Sequence, residues 1–147
     1  MEYMTQYRTL DITLICSVLM PCNSKTGDYI YAVASLSSSN RIFYKDRTPV
    51  KKYGLKWNHP MKLNILESSA QKNQLTLVVK IKSVGHGLRW DKKIAEVKIP
   101  IKELLNGRAT KQGRIYNVLG RYDEYQGYLK FTYEFSQTRN AIQPQPV

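Results

Sequence analysis

The sequence predicts an all-β fold, an eight-stranded antiparallel β-sandwich. Three observations favour it. Short segments alternate apolar and polar residues with a period of two, which is typical of strands with one buried face. Polar turns that contain Gly or Pro separate these segments, and no long segment shows the 3.6-residue period of a helix. The chain has 147 residues, which is the size of one domain with a proper core.

The first strand is predicted over residues 8–18. Leu10, Ile12 and Leu14 alternate there with polar residues. An arginine ahead of an apolar run resembles a secretory leader, but Asp11 interrupts the run. The period of two therefore indicates a half-buried strand and not a leader.

The next three strands are predicted at 29–36, 40–48 and 56–66. The second, "YIYAVASL", is rich in the aromatic and β-branched residues that strands favour. The third is "NRIFYKDRT", and the fourth is "KWNHPMKLNIL". Pro60 lies within the fourth strand and cannot donate a hydrogen bond to a neighbour, so it indicates an edge strand or a bulge.

The last four strands are predicted at 74–84, 93–101, 114–120 and 127–136. The fifth and eighth, "QLTLVVKIKSV" and "GYLKFTYEFS", alternate apolar residues with lysines and other polar residues most regularly. The sixth is followed by "KELLNG", a short helical turn that Gly107 ends.

The domain is predicted to span residues 1–136. In "SQTRNAIQPQPV" the period of two is lost and Pro and Gln accumulate. Residues 137–147 are therefore expected to form a disordered tail.

The charge balance points to a polyanionic partner. Lys and Arg number 23 against 11 Asp and Glu, so the formal net charge is +12. A membrane surface, a phosphoinositide or a nucleic acid fits this balance. No run approaches the roughly 20 apolar residues of a membrane-spanning helix, so membrane contact would be peripheral. With only two cysteines, Cys16 and Cys22, a reduced cytoplasmic protein is expected. If it binds membranes peripherally, it is expected at the inner face of the plasma membrane.

Four segments in order resemble the C2-domain family: "YAVASL", "LKWNHPMKLNI", "LTLVVKI" and "KIAEVKIPIKELL". The steps Trp57-Asn58 and Ile94-Ala95-Glu96 are the most specific parts. The resemblance covers residues 7–136 and is greatest to the small plant proteins with one N-terminal C2 domain, the cold- and pathogen-response group. It implies an eight-stranded sandwich that docks to membranes, and this agrees with the strand count.

Many C2 domains hold calcium between two loops, with about five carboxylates because calcium takes six to eight oxygen ligands. Here only Asp28, one residue early, and Asp91 match those positions, and lysines and arginines surround them. We therefore expect no calcium, no other metal and no cofactor, with Asp28 and Asp91 as vestigial candidates. Each of the two carboxylates can instead cap a turn or pair with a lysine.

The third predicted strand contains Lys45 and Arg47, two residues apart and thus on one side of the strand. Phosphoinositide-binding C2 domains have a similar Lys-x-Lys pair, and a headgroup with several phosphates needs convergent donors. A solvated strand face is the alternative. The predicted lipid-binding residues are Lys45, Arg47, Lys51, Lys52, Lys56, Lys62, Lys80 and Lys82, the last two only if their strand is a neighbour.

The loop before the sixth strand combines apolar, basic and aromatic residues. Tryptophan favours the membrane interface, where its ring is buried and its N–H stays hydrated. Folding of Trp90 back over the end of the sandwich is the open alternative. The predicted membrane-contact loop consists of Leu88, Arg89, Trp90, Lys92 and Lys93.

Other functions are less favoured by the sequence. No catalytic motif accompanies His59 or His86, so the chain is not expected to be an enzyme. The pattern does not favour nucleic acid as a partner, because no RNP-like aromatic motif is present. The resemblance instead implies an adaptor in plant stress or defence signalling, and with the basic charge it predicts binding to anionic lipids and to a protein partner. A protein-interaction scaffold with little lipid binding is the alternative, and "GRYDEYQG" is its candidate contact patch.

Overall fold

The structure is a computed structural model that describes residues 2–19, 29–39, 41–105 and 111–144. Within these ranges the chain forms ten strands and two short helices. Their bounds are β1 Glu2–Leu19, β2 Tyr29–Ser38, β3 Arg41–Arg47, β4 Lys51–Lys52, β5 His59–Leu66, α1 Glu67–Gln71, β6 Thr76–Ser83, β7 Lys92–Pro100, α2 Ile101–Leu105, β8 Gln112–Leu119, β9 Tyr125–Phe135 and β10 Arg139–Pro144.

The strands form two antiparallel layers. One layer has the order β3-β2-β6-β7, and β4 continues the edge of β2 beyond β3. The other has the order β5-β1-β9-β8, with β10 beside the first residues of β1. The two layers are joined between β7 and β8 by the pair Glu96 and Leu119. The predicted all-β antiparallel sandwich is confirmed.

The core lies between the two layers. Alternate residues of β2, β5, β6, β7 and β9 face inward, and Phe131 and Tyr133 of β9 are the largest described side chains with almost no exposure. Leu77 of β6 and Ile99 of β7 come from the opposite layer and belong to the same buried cluster. Burial of these apolar side chains is the main stabilising contribution to the fold.

The eight predicted strands correspond to β1–β3 and β5–β9, and the structure adds elements that the pattern did not predict. In the segment expected to be a disordered tail, residues 139–144 form β10, which pairs with residues 2–7 of β1. Backbone hydrogen bonds to a neighbouring strand hold such a segment without an alternating pattern. Helix α1 was also not predicted, whereas α2 matches the expected helical turn and Gly107 lies outside the described residues.

Trp57 ties the two layers together near one end. It is 5% exposed, its backbone N–H donates to the Ile15 carbonyl of β1 at 2.7 Å, and its indole Nε1 donates to the Ile30 carbonyl of β2 at 3.4 Å. One residue thus packs in the core and hydrogen-bonds a strand of each layer.

A second link joins the edge strands β3 and β5. His59 Nε2 lies 3.0 Å from Asp46 Oδ2, and the Tyr44 hydroxyl donates to the same oxygen at 3.3 Å. Partial burial raises the pKa of the Asp46 carboxyl, but hydrogen bonds from His59, the Arg47 N–H and Tyr44 outweigh burial and hold it below its ordinary value. His59 is half-buried and hydrogen-bonded to Asp46, so its role here is to hold β3 and β5 together.

Three of the connections that the structure describes lie at one end of the sandwich, which we call the loop end: residues 53–58, 84–91 and 120–124. The Tyr53 hydroxyl contacts the backbone N–H and carbonyl of Leu19, the last residue of β1, at 3.1 and 3.2 Å. Leu19 pairs with Gly127, just after the turn 120–124. The Val84 N–H donates to the carbonyl of Tyr29, the first residue of β2.

No helix in the part of the chain that the structure describes is long and apolar enough to cross a membrane.

Candidate functional site

Cationic side chains cluster on the outer surface of the β3-β2-β6-β7 layer. Residues paired across antiparallel strands share a face. Arg47 pairs with Val33, which pairs in turn with Lys80, and Lys82 pairs with Tyr31. We call this surface the basic face, and Glu96 lies among its cations; it consists of Lys45, Arg47, Lys52, Lys80, Lys82, Lys93 and Lys98.

A shallow cleft of about 440 Å³ lies on this face. Val33 of the central strand β2 forms its floor, and β3 and β6 lie on either side. Cations two strands apart stand roughly 10 Å from each other, because adjacent strands are about 4.8 Å apart. The short floor residue between long basic side chains leaves room for an anionic group. The lining residues are Tyr31, Val33, Lys45, Asp46, Arg47 and Lys82.

The expected partnership of Lys80 and Lys82 with Lys45 and Arg47 requires β6 to lie near β3. The structure places one strand, β2, between them, so these four residues do share one face. Lys52 pairs with Tyr29 and extends the face toward the loop end.

The remaining predicted lipid-binding residues lie elsewhere. Lys62 pairs with Asp11 of β1 and is exposed on the outer surface of the opposite layer, so its assignment to the basic face is wrong. The fourth predicted strand, β5, pairs with β1 and so belongs to the other layer. The order of the strands along the chain does not show to which layer a strand belongs. Lys51 pairs with the buried residue Ile30 and faces the inner side, and Lys56 lies in the loop 53–58.

Two contributors to the basic face were not predicted as such. Lys98 of β7 pairs with Val78 and is exposed. Lys93, expected in the membrane-contact loop, pairs with Lys82 and lies 3.6 Å from Glu96. Lys98 could have been found from the period of two in β7. Lys93 could not, because it is turned to this face by a bulge opposite Ile81 and Lys82, and the bulge has no sequence signal.

Asp91 connects the loop 84–91 to the basic face. Tyr31 donates its hydroxyl to Asp91 Oδ2 at 2.5 Å, and the Gly85 N–H donates to Asp91 Oδ1 at 2.8 Å. The Arg47 guanidinium stacks over the Tyr31 ring, 4.6 Å from its centroid. Loop, tyrosine and arginine thus form one continuous contact.

These contacts set the charge of Asp91. The hydrogen bond from Tyr31 lowers the pKa of the Asp91 carboxyl most, followed by the Gly85 N–H, and the positive charges of Arg47 and Lys82 act in the same direction. The same hydrogen bond raises the pKa of the Tyr31 hydroxyl. Asp91 is accordingly an anion that fastens the loop.

The described residues do not fit a calcium ion. Both oxygens of Asp91 already accept hydrogen bonds from Tyr31 and Gly85, and the charged side chains that act on it among the described residues are the cations Arg47 and Lys82. Calcium takes six to eight oxygen ligands, largely from carboxylates. Within the described ranges no three His, Cys, Asp or Glu side chains come together as a metal site. Asp28 lies outside the described residues.

The tip of the loop 84–91 is apolar and open to solvent. Trp90 is 92% exposed and Leu88 is fully exposed, so Trp90 does not fold back over the sandwich. Gly87 has a φ of 63°, which favours glycine, and a Cβ at Gly85 would clash with the Arg89 carbonyl oxygen. The two glycines shape a tight loop that presents Leu88, Arg89 and Trp90 outward.

Comparison with known proteins gives relatives by sequence and by structure. No protein-family model matches the chain. It is 32% identical over 136 residues to "Protein SRC2 homolog" of Arabidopsis thaliana and 29% identical over 139 residues to "Protein SRC2" of Glycine max. These matches cover 88% and 90% of this chain but only 41% and 47% of the relatives, so the chain spans less than half their length.

Among solved structures, a C2 domain of plant Extended Synaptotagmin 1 superposes with a TM-score of 0.68 at 15% identity. The superposition covers 87% of this chain and 93% of that domain. At this identity the match establishes the fold.

Proposed function

We propose that the chain is a C2 domain, and that it is a non-enzymatic, calcium-independent module that binds anionic membranes; the fold that it shares with a solved C2 domain supports this. In this proposal the basic face holds anionic headgroups, including phosphoinositides, and Leu88 and Trp90 insert beside them. The protein then acts as an adaptor at the inner face of the plasma membrane in plant stress or defence signalling. Similarity to the SRC2 proteins of two plants supports the plant setting.

The observation that carries the proposal is the combination of a cationic cleft with a neighbouring exposed apolar tip. Arg47 and Lys82 line the cleft and also lie beside Asp91, which holds the loop carrying Trp90. A surface that places several cations against headgroups while an aromatic side chain enters the interface matches a bilayer.

The magnitudes suit reversible binding. Each cation near an anionic leaflet contributes about 1 kcal/mol, so four or five give a dissociation constant of roughly 0.1 mM. Insertion of Trp90 and Leu88 adds about 2–3 kcal/mol, which brings the affinity to roughly micromolar. Since most of the attraction is electrostatic, binding should weaken as salt is raised.

Co-sedimentation with vesicles tests the proposal. Neutral, phosphatidylserine and phosphoinositide vesicles are compared at low and physiological salt. Binding to anionic but not to neutral vesicles supports the proposal, and displacement by inositol phosphates more readily than by oligonucleotides separates lipid from nucleic acid. Absence of binding to every vesicle at low salt would contradict it and favour a protein-interaction scaffold.

Calcium is expected to leave vesicle binding unchanged. Asp91 is already satisfied by Tyr31 and Gly85, and cations replace the further carboxylates that calcium requires. Sedimentation in calcium and in chelator should give the same bound fraction. A bound fraction that rises severalfold with micromolar calcium would show that the loops do form a calcium site.

Substitution Trp90→Ala is expected to weaken vesicle binding roughly tenfold, because a largely exposed indole loses its transfer into the interface. The loss should persist at high salt, unlike that of a lysine variant. Ile115→Ala is the matched control, since Ile115 is an exposed apolar residue on β8 of the other layer. Equal affinities of the Trp90 variant and the wild type would mean that the loop stays outside the membrane.

A further inference from the structure

The turn 120–124 lies at the loop end, beside the apolar loop tip and not at the opposite end of the sandwich. It joins β8 to β9, and Glu124 and Gly120 close it through a backbone hydrogen bond of 2.8 Å. Asp123 has a φ of 61°, a left-handed conformation that aspartate tolerates in turns. The turn presents Tyr122, which is 81% exposed.

The turn contains two carboxylates, Asp123 and Glu124, and Glu124 is held by hydrogen bonds within the turn. Glu124 Oε2 accepts the Tyr122 N–H at 2.8 Å, and Glu124 Oε1 accepts the Gln126 amide at 3.2 Å. Backbone hydrogen bonds at Glu124 and Tyr122 hold the pKa of the Glu124 carboxyl below its ordinary value. Arg121 lies over the Tyr122 ring, 5.7 Å from its centroid. The exposed surface of the turn therefore carries an arginine and an aromatic ring beside the carboxylate of Asp123.

The same pairing of an exposed apolar side chain with a cation occurs on each of the three connections at the loop end. Leu55, 57% exposed, precedes Lys56 in the loop 53–58. Leu88 and Trp90 flank Arg89 in the loop 84–91. These positions belong to separate elements that only the fold brings to one end.

We propose that the turn 120–124 is an additional membrane contact, in which Tyr122 and Arg121 enter the headgroup region of the same anionic bilayer that receives Trp90. This inference rests on the proposed function. Tyrosine suits the interface because its ring is apolar and its hydroxyl stays hydrated, and arginine pairs with lipid phosphate.

The position of the turn favours a bilayer over a protein partner. At the described loop end and the residue after it, cations outnumber acids by one: Lys56, Arg89, Lys92 and Arg121 against Asp91, Asp123 and Glu124. The contact therefore rests on the exposed ring of Tyr122, on Arg121 and on the shared end, and the basic face supplies most of the attraction to an anionic surface. A contact from the β8–β9 turn, in the other layer from the basic face, also limits rotation of the domain on the membrane. With loops of both layers engaged, the domain is held at one tilt.

Tryptophan fluorescence tests the contact directly. In a Trp90→Phe background the remaining tryptophan, Trp57, is buried, so an added indole is the solvent-exposed reporter. Tyr122→Trp places the reporter on the turn, and Ile115→Trp places it at an exposed control position on β8. Phosphatidylserine vesicles with brominated acyl chains are used at lipid concentrations where sedimentation shows the protein to be bound.

We expect the Tyr122→Trp reporter to be quenched severalfold more than the Ile115→Trp reporter. In the otherwise wild-type chain, Tyr122→Ala should weaken vesicle binding roughly fivefold, the effect of removing one partly inserted ring. Two results would overturn this inference but leave the proposed function intact: the reporter at position 122 is not quenched although the protein is bound, or Tyr122→Ala binds vesicles as tightly as the wild type. Either result would favour a protein-facing role for the turn. Failure of the wild-type chain to bind any anionic vesicle overturns the proposed function and this inference with it.

Discussion

Replacing Lys45 and Arg47 together by glutamate is expected to reduce binding to phosphatidylserine and phosphoinositide vesicles by roughly a hundredfold or more. Each cation contributes about 1 kcal/mol near an anionic leaflet, and reversal turns attraction into repulsion. Both residues line the cleft on the basic face. Co-sedimentation of Lys45→Glu/Arg47→Glu against a lipid titration measures the loss.

The matched control carries the same change in net charge on the other layer. Lys62 and Lys130 are exposed on the outer surfaces of β5 and β9, so Lys62→Glu/Lys130→Glu alters total charge equally without altering the basic face. We expect this control to lose no more than about threefold, the long-range effect that salt screens. Equal losses in the two double variants would show that net charge, and not the basic face, governs binding. Melting curves confirm that both variants are folded.

Trp57→Ala is expected to destabilise the domain by about 3–5 kcal/mol, the range for removing a large buried aromatic side chain. The side chain packs in the core and donates a hydrogen bond to the Ile30 carbonyl, and the substitution removes both contributions. Domains of this size have a total stability of about 5–15 kcal/mol, so the variant is close to unfolding. The expected fall in melting temperature is roughly 10 °C or more.

The other tryptophan is the natural control for this measurement. Trp90→Ala removes the same side chain from a position that makes no core contact, and we expect the free energy of unfolding to change by less than about 0.5 kcal/mol. The two variants should therefore separate stability from membrane binding: Trp57→Ala lowers the melting temperature, and Trp90→Ala lowers the affinity for vesicles. A large drop in melting temperature for Trp90→Ala would show that its side chain packs against the domain in solution.

Much of the fold was predictable because alternation of apolar and polar residues is a local property. Leu10, Ile12 and Leu14 face the core as their period of two indicates, and Pro60 does lie in an edge strand, β5, which pairs with β1. Strand β10 and helix α1 were missed. The first is held by pairing with a distant part of the chain, and the second is a single short turn without a periodic signal.

The candidate site was predictable where its residues lie on one strand. Lys45 and Arg47 share a face because a strand alternates its side chains, and this follows from their spacing alone. Lys62 was placed wrongly because strand order depends on which edges pair, and β5 pairs with β1 in the opposite layer. Tyr31 was not identified, since its contacts join distant residues. Arg47 is 16 positions away in the chain and Asp91 is 60 positions away.

The sequence by itself thus determined the class of fold, the excess of positive charge and the apolar-basic composition of the loop 84–91, since each depends on local pattern or on composition. Tertiary structure decided which cations converge, that Asp91 is held by Tyr31 and Gly85, that Trp90 is open to solvent, and that the turn 120–124 lies at the loop end. These features depend on strand pairing between distant segments and on what packs against each side chain. The spacing of residues along the chain does not contain that information.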